Sequence, residues 1–199
     1  SSRYFDKHSY LIKTLTDNGA SSRDVAMLGM HEFDEWALYG PYLDKSLIRN
    51  YMWYNLAGEL MDYAPNVRFC EVLLNGEYQG LYVMTETINS AVDVRLKLTE
   101  PTKDTIQTSY ALRLDRGSGN DVRNIETFSQ YALRNLQDMD IVYPGTKWLT
   151  PERAAWIAQD FSDFEKSLYS YDYDTEPYAW WEQADLSSFA DYFILNEFT

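Results

Sequence analysis

Apolar and polar positions change period repeatedly along this chain, and the steadiest signal is Val67 to Ile88, VRFCEVLLNGEYQGLYVMTETI. Two apolar runs flank Asn75-Gly76, the dipeptide that best accepts the positive φ angles of a tight hairpin turn. Pairing about that turn sets Leu73 opposite Tyr78, Phe69 opposite Tyr82 and Val67 opposite Met84 on one face. Cys70, Val72, Leu81 and Val83 then lie on the other face. A hairpin apolar on both faces needs cover on both sides, which predicts the centre of a sheet.

The remaining elements follow from period and punctuation. Residues 4–14, YFDKHSYLIKT, alternate as a strand, with Phe5, Lys7, Ser9, Leu11 and Lys13 on one side and Tyr4, His8, Tyr10 and Ile12 on the other. TDNGASSR is turn chemistry, and VAMLGM is a short apolar run. Asp44 can cap a helix to about Asp62 whose stripe is Leu47, Ile48, Tyr51, Met52, Leu56, Leu60 and Met61. Ala64-Pro65-Asn66 ends it. DVRLKL (93–98), SYALRLD (109–115) and Ile141-Val142-Tyr143 read as strands, the second running into a glycine-bearing loop over 115–120. Thr150 caps and Pro151 opens a second long helix on which Ala154, Ile157, Phe161, Phe164 and Leu168 repeat. After an acidic, tyrosine-rich loop, Asp185 can cap a third helix with Leu186, Phe189, Phe193 and Ile194 facing inward. Strands with one helix, then helices, make an α+β pattern of two lobes joined within 100–120.

Composition narrows the classes. The chain has 199 residues, 45% of them apolar and 16% aromatic, enough for a core and too apolar for disorder. Thirty-one acids against seventeen bases leave a net charge of −14, which argues against nucleic acid or an anionic membrane as partner. The same charge suits a basic protein or a metal-bridged anionic ligand. Cys70 is the only cysteine, so no intramolecular disulfide is possible, and with His8 and His31 it cannot build a Cys/His metal cage. No segment approaches the roughly 18 apolar residues of a membrane span. The chain opens without methionine at SSRYFDKHSY and stops at NEFT, so it is expected to be a piece of a longer protein.

Chemistry is sparse by motif. GSGN at 117–120 is too short for a nucleotide loop, NGEYQG is explained by the hairpin, and neither HExxH nor GxSxG occurs. The acids single out no pair for glycoside hydrolysis. Lys7 and Lys13 occupy alternate positions on one predicted strand face. Such lysines are ordinarily solvated, yet a strand lysine aimed into a cleft is how kinases hold phosphate. Glu86 follows an apolar strand where a chain leaves a sheet, and Asp115 is similar, although both read equally as surface carboxylates.

Several stretches in order resemble the spore coat protein H (CotH) kinase family, an atypical protein-kinase-like family. They are SSRYFDKHSYLIK, similar to the family's S-S-x-x-F-P-K-K-S-Y strand, then MLGMHEFDEWALYGPYLDKSLIRN, YNLAGELM and APNVRFCEVLLNGEYQGLYVMTETI. YALRLDR, IVYPGTKWLTPE and DLSSFADYFILNEFT continue the match. The most specific pieces are residues 44–50 and 75–86.

The resemblance implies a protein-kinase-like α+β fold: an antiparallel-sheet N-lobe with one long helix, followed by part of a helical C-lobe. Residues 1–199 would be a C-terminally incomplete kinase domain, about 1–115 sheet-rich and 116–199 helical. It implies ATP-dependent phosphorylation of protein serine or threonine with Mg²⁺ or Mn²⁺. Carried over, Lys7 takes the phosphate-contacting position with Lys13 as alternate, Glu59 pairs with that lysine, and Glu86 sits where the nucleotide base docks. Asp44 and Arg49 are held by the family motif. Asp6 and His8 depart from the pattern, removing positive charge beside Lys7. The family's pattern runs on into Asn-x-Asp and Asp-Phe-Asp-like segments that supply its catalytic and metal-binding carboxylates. No catalytic or metal residue is therefore assigned within 1–199, and this piece alone is expected to lack substantial kinase activity. The acidic surface favours a basic, serine-rich protein substrate, and the resemblance favours a spore-coat or extracellular, cell-surface setting. Two rivals stand beside it: a non-catalytic kinase-like scaffold or binding module of a coat or cell-surface assembly, and an acidic carbohydrate-active domain.

Overall fold

The Asn75-Gly76 turn forms with φ of 52° and 86°, joining β5 (Val67–Leu74) to β6 (Glu77–Glu86). The structure is a computed structural model that describes residues 4–88, 96, 98–115, 121–129, 138–169, 171 and 179–198. Leu73 faces Tyr78 as the turn dictates, but the ladder then slips between Val72 and Leu73. Val72 opposes Gly80, Cys70 opposes Tyr82, Phe69 opposes Val83 and Val67 opposes Thr85. Gly80, at φ 86°, absorbs the extra residue in a left-handed conformation that a side chain would strain. A one-residue slip exchanges faces. Phe69 thus joins Val83 rather than Tyr82, and alternation could not warn of it because both faces are apolar.

β1 (Tyr10–Lys13), β4 (Glu35–Tyr39), β6 and β5 form one antiparallel sheet in the order β1-β4-β6-β5. Only β6 of the hairpin is interior; β5 is an edge strand, not the centre expected of it. One face carries Trp36, Leu38, Tyr82 and Met84, packed with Met30 and flanked by Tyr10, Ile12, Cys70 and Val72. We call this the aromatic face. A two-stranded ribbon of β2 (Val25–Ala26) and β3 (Glu32–Phe33) brings Met30 and Phe33 to it.

The opposite face is covered by α1 (Arg49–Leu60), whose Tyr51 ring stacks on Phe69 with centroids 4.4 Å apart. This helix is shorter than the expected 44–62. Leu47 sits at φ 64°, and Asp44 caps from upstream: its carboxylate accepts the Arg49 N–H at 2.9 Å and the Ser46 N–H at 3.0 Å. Nor is the predicted stripe buried, for Ile48, Met52, Leu56 and Leu60 are exposed and no α1 residue is fully covered. Apolar residues run almost all round RNYMWYNLAGEL, so no single stripe had to face the sheet.

The chain divides into two compact units, Ser1–Ala91 with Ala190–Thr199, and Val92–Phe189. The second contains its own antiparallel sheet, β7 (Ala111–Asp115), β9 (Asp138–Tyr143) and β8 (Asn124–Ile125), in the order β7-β9-β8. Its core joins Ile125, Met139 and Ile141 to Leu149 and to Ala154 and Ile157 of α2 (Pro151–Tyr169). Thr150 accepts the Arg153 N–H at 3.2 Å, as a cap should. The buried Arg153 guanidinium is satisfied by backbone carbonyls of Thr102, Thr105, Ile106 and Trp148.

Asp185 caps α3 (Leu186–Phe198) through the Ser187 and Ser188 N–H groups at 3.1 and 3.2 Å. The residues expected to face inward, Leu186, Phe189, Phe193 and Ile194, are all exposed, and Leu195 is the buried one. The covered stripe of α3 is therefore rotated away from the most apolar one. The expected strand 93–98 and the loops 116–120 and 172–178 lie largely or wholly outside the described residues. Mixed α+β architecture with antiparallel sheets and three helices holds among the described residues. None of those helices is long and apolar enough to cross a membrane.

Candidate functional site

The site that the sequence points to is built on the aromatic face, near the end of β4. Residues 5–7 bend before β1 begins at Tyr10, which breaks the continuous strand expected over 4–14. That bend separates the two lysines. Lys13 pairs in register with Glu35, on the face that carries Ala37 and α1. Lys7 goes the other way, its ammonium 4.7 Å from the centroid of the Tyr82 ring. The two lysines do not share a face, contrary to the alternation of the sequence.

The Lys7 ammonium also donates a 2.5 Å hydrogen bond to the carbonyl of Leu81. β4 stops pairing with β6 at Tyr39–Val83, so this carbonyl lies two residues past the last rung, where Lys7 substitutes for a strand. Burial pushes the Tyr82 hydroxyl up, with Tyr10 adding to it, so the ring beneath Lys7 stays neutral and presents its negative face to the cation. Among the described residues no carboxylate pairs with Lys7. Asp6, its chain neighbour, accepts instead from the Tyr42 hydroxyl at 3.3 Å. A half-buried, uncompensated ammonium in a chain of net charge −14 is electrostatically uncommon, and it is suited to an anion.

The other predicted residues behave differently. Lys13 is 60% exposed at its side chain and forms an ion pair with Glu35 at 3.3 Å, so its charge is already matched. Glu59 is exposed on α1 and makes no pair with Lys7. The reason is topological: α1 covers the Phe69 face of the sheet and Lys7 lies on the Tyr82 face. The pairing expected from kinase logic is therefore corrected.

Glu86 is 6% exposed, not a surface carboxylate. One oxygen accepts the Asn66 N–H at 2.9 Å and the other the Asn66 side-chain amide at 3.1 Å, while the Glu86 N–H donates to the Asn66 carbonyl at 3.1 Å. The pair locks the start of β5 to the end of β6. Asp44 and Arg49 lie 3.8 Å apart at the start of α1. Hydrogen bonds from the Ser46 hydroxyl and from the Ser46 and Arg49 amides hold the Asp44 carboxyl below its ordinary range, with the Arg49 charge assisting. Their geometry is that of a helix cap.

Among the described residues, concavities also lie elsewhere, two of them well formed. One of about 510 Å³ is lined by Trp53 and Tyr54 of α1, by Met61 just past its end and by Tyr192 and Leu195 of α3, without a charged side chain, and includes none of the candidate site residues. The other, about 460 Å³ in the second unit, joins Tyr110, Phe161, Phe164 and Phe189 to Asp160 and Asp185. There the Tyr110 hydroxyl donates to Asp160 at 2.7 Å, and burial, with the carboxylate beside it, pushes the phenol well up. Neither lining suits a phosphate. Among the described residues no cluster of three His, Cys, Asp or Glu could hold a metal ion.

Sequence reading missed the groups that hold the predicted ones: Tyr82 and Gly40 around Lys7, Asn66 on Glu86, and Glu35 on Lys13. The signal for Gly80 was present, since NGEYQG has one glycine more than its turn requires. Asn66, read only as part of a helix stop, had no signal. A family model described as CotH kinase protein matches residues 1–199. Comparison with curated proteins and with solved structures gave no match.

Proposed function

The chain belongs to the CotH kinase family, and we propose that it supplies the phosphate-contacting lobe of an ATP-dependent protein phosphotransferase. The observation that carries this reading is the Lys7 ammonium, half-buried over Tyr82 and neutralised by no acid among the described residues. In such a transfer a serine or threonine oxygen bonds to the γ-phosphorus as the bond to the ADP oxygen breaks, and the hydroxyl proton passes to a base. Lys7 binds and orients the phosphates, and its charge offsets that of the equatorial oxygens. Lys13 is the reserve candidate, already paired with Glu35. Glu86 serves by fixing the end of β6, beside which the base docks, through its clamp on Asn66.

The ATP phosphates suit the site because a cation stands ready and Gly80, beside its ammonium, carries no side chain to cover it. Among the described residues no cluster of three metal ligands is found for Mg²⁺ or Mn²⁺, so no step is assigned to it here. No residue of 1–199 is assigned the part of the base. The net charge of −14 favours a basic, serine-rich protein substrate in a coat or cell-surface setting, with binding that weakens as salt rises.

One observation favours the scaffold alternative: Glu59 does not meet Lys7, and kinase catalysis relies on a lysine–glutamate pair. Thermal unfolding with a non-hydrolysable ATP analogue and Mg²⁺ tests the reading. Ligand at 100 times its dissociation constant should stabilise the chain by roughly 2.7 kcal/mol. No shift with nucleotide favours the scaffold, and a shift with soluble glycans instead favours the carbohydrate reading, for which the aromatic and carboxylate lining around Tyr110 is the natural seat.

A further inference from the structure

We infer that Gly40 and Tyr82 are positioning residues that pin the Lys7 side chain before any ligand arrives; this rests on the reading that Lys7 contacts phosphate. Gly40 follows the last residue of β4. A Cβ placed there would come within 2.8 Å of the His8 carbonyl oxygen, 3.0 Å of Lys7 Cγ and 3.0 Å of Tyr82 Cε1. The first of these is backbone and has nowhere to retreat, so any side chain at 40 displaces the segment that carries Lys7. The Gly40 N–H donates to Ser9 Oγ at 3.1 Å, tying that same segment to the sheet. Absence of a side chain at 40 is what lets the lysine stem pass between the end of β4 and the Tyr82 ring.

The ring then fixes the other end of the side chain. With the ammonium 4.7 Å above it and one N–H spent on Leu81, two donor directions remain. Gly80 also borders the ammonium: a Cβ there would sit 3.5 Å from Nζ, in van der Waals contact, so the glycine leaves that side of the cation uncovered. A lysine held in one rotamer has already lost the freedom that binding would otherwise cost. Tyr82 is 1% exposed and is reached by no ligand except through Lys7, so it acts on the phosphate only by placing the cation.

The test uses the 199-residue chain with Gly40→Ala, Tyr82→Leu, Tyr82→Phe and Lys7→Ala, and reads two quantities. The first is the proton shift of the Lys7 side-chain methylenes by NMR, which the ring current of a stacked aromatic moves upfield. The second is the dissociation constant for a non-hydrolysable ATP analogue with Mg²⁺. The wild type should show upfield-shifted Lys7 methylenes, Tyr82→Phe should keep them, and Tyr82→Leu and Gly40→Ala should lose them. Those two should also bind the nucleotide roughly tenfold more weakly, as expected for a partly desolvated cation–π contact, with Tyr82→Phe binding as wild type does. Unshifted methylenes in the wild type overturn the proposal without any substitution, even where a variant fails to fold. Shifts or affinities unchanged in folded Gly40→Ala and Tyr82→Leu overturn it too. If the wild-type shift is present but Lys7→Ala leaves nucleotide affinity unchanged, the cradle stands and the phosphate reading falls.

Discussion

The two faces of the four-stranded sheet use the same residue type in opposite ways. On the face covered by α1, Lys13 lies in the open, opposite Glu35 in register, and its charge is cancelled across the ladder. On the aromatic face, Lys7 is half-buried over a ring, bonded to a carbonyl, and matched by no acid among the described residues. Coulomb attraction between exposed ions is weak in water and fades with salt, whereas a cation over a desolvated ring keeps both its attraction and its charge. The difference teaches that a strand lysine is a candidate for ligand binding by what fails to neutralise it, not by its position in the alternation.

The largest expected effect tests whether the aromatic face is the structural core of the sheet. Trp36 is fully buried there and donates its indole N–H to the Phe33 carbonyl at 3.2 Å. Trp36→Ala should lower the stability of the chain by about 3–5 kcal/mol, measured by denaturant unfolding followed by circular dichroism. Phe69→Ala, on a half-buried ring of the opposite face, should cost less. A larger loss for Phe69 would invert the comparison. Next comes Glu86→Ala, which strips the Asn66 amides of their acceptors and should cost about 1–3 kcal/mol. A neutral result in the same unfolding assay would show that Glu86 is not a clamp. The smallest effect is that of Lys13→Ala, which removes an exposed ion pair and should change stability by less than about 1 kcal/mol. A loss that large, or one that persists in molar salt, would mean that Lys13 does more than pair with Glu35.

How far the sequence could be read follows from the same physics. The Asn75-Gly76 turn, the Thr150 and Asp185 caps and the helix opened by Pro151 were legible because each depends on local backbone chemistry. The strand register was not. Both faces of the hairpin are apolar, so a bulge at Gly80 moved Phe69 from Tyr82 to Val83 without disturbing any visible pattern. The faces of α1 and α3 were misread for a related reason: helices apolar on most sides carry no directional signal, and what covers them is a tertiary choice. Among the candidate residues, Lys7 and Glu86 could be named from the sequence, but their surroundings could not. Glu86 is held by Asn66, twenty positions away, and Lys7 by Tyr82 and Gly40 across two strands. Glu59 was placed by analogy with kinases, and the topology of this sheet puts its helix on the wrong face.

The central claim is that the two lysines differ in kind, and nucleotide titration of matched variants tests it most directly. Isothermal titration of a non-hydrolysable ATP analogue with Mg²⁺ into the wild-type chain, Lys7→Ala and Lys13→Ala should show affinity lost in Lys7→Ala and retained in Lys13→Ala. Equal loss in both, or loss confined to Lys13→Ala, would contradict it.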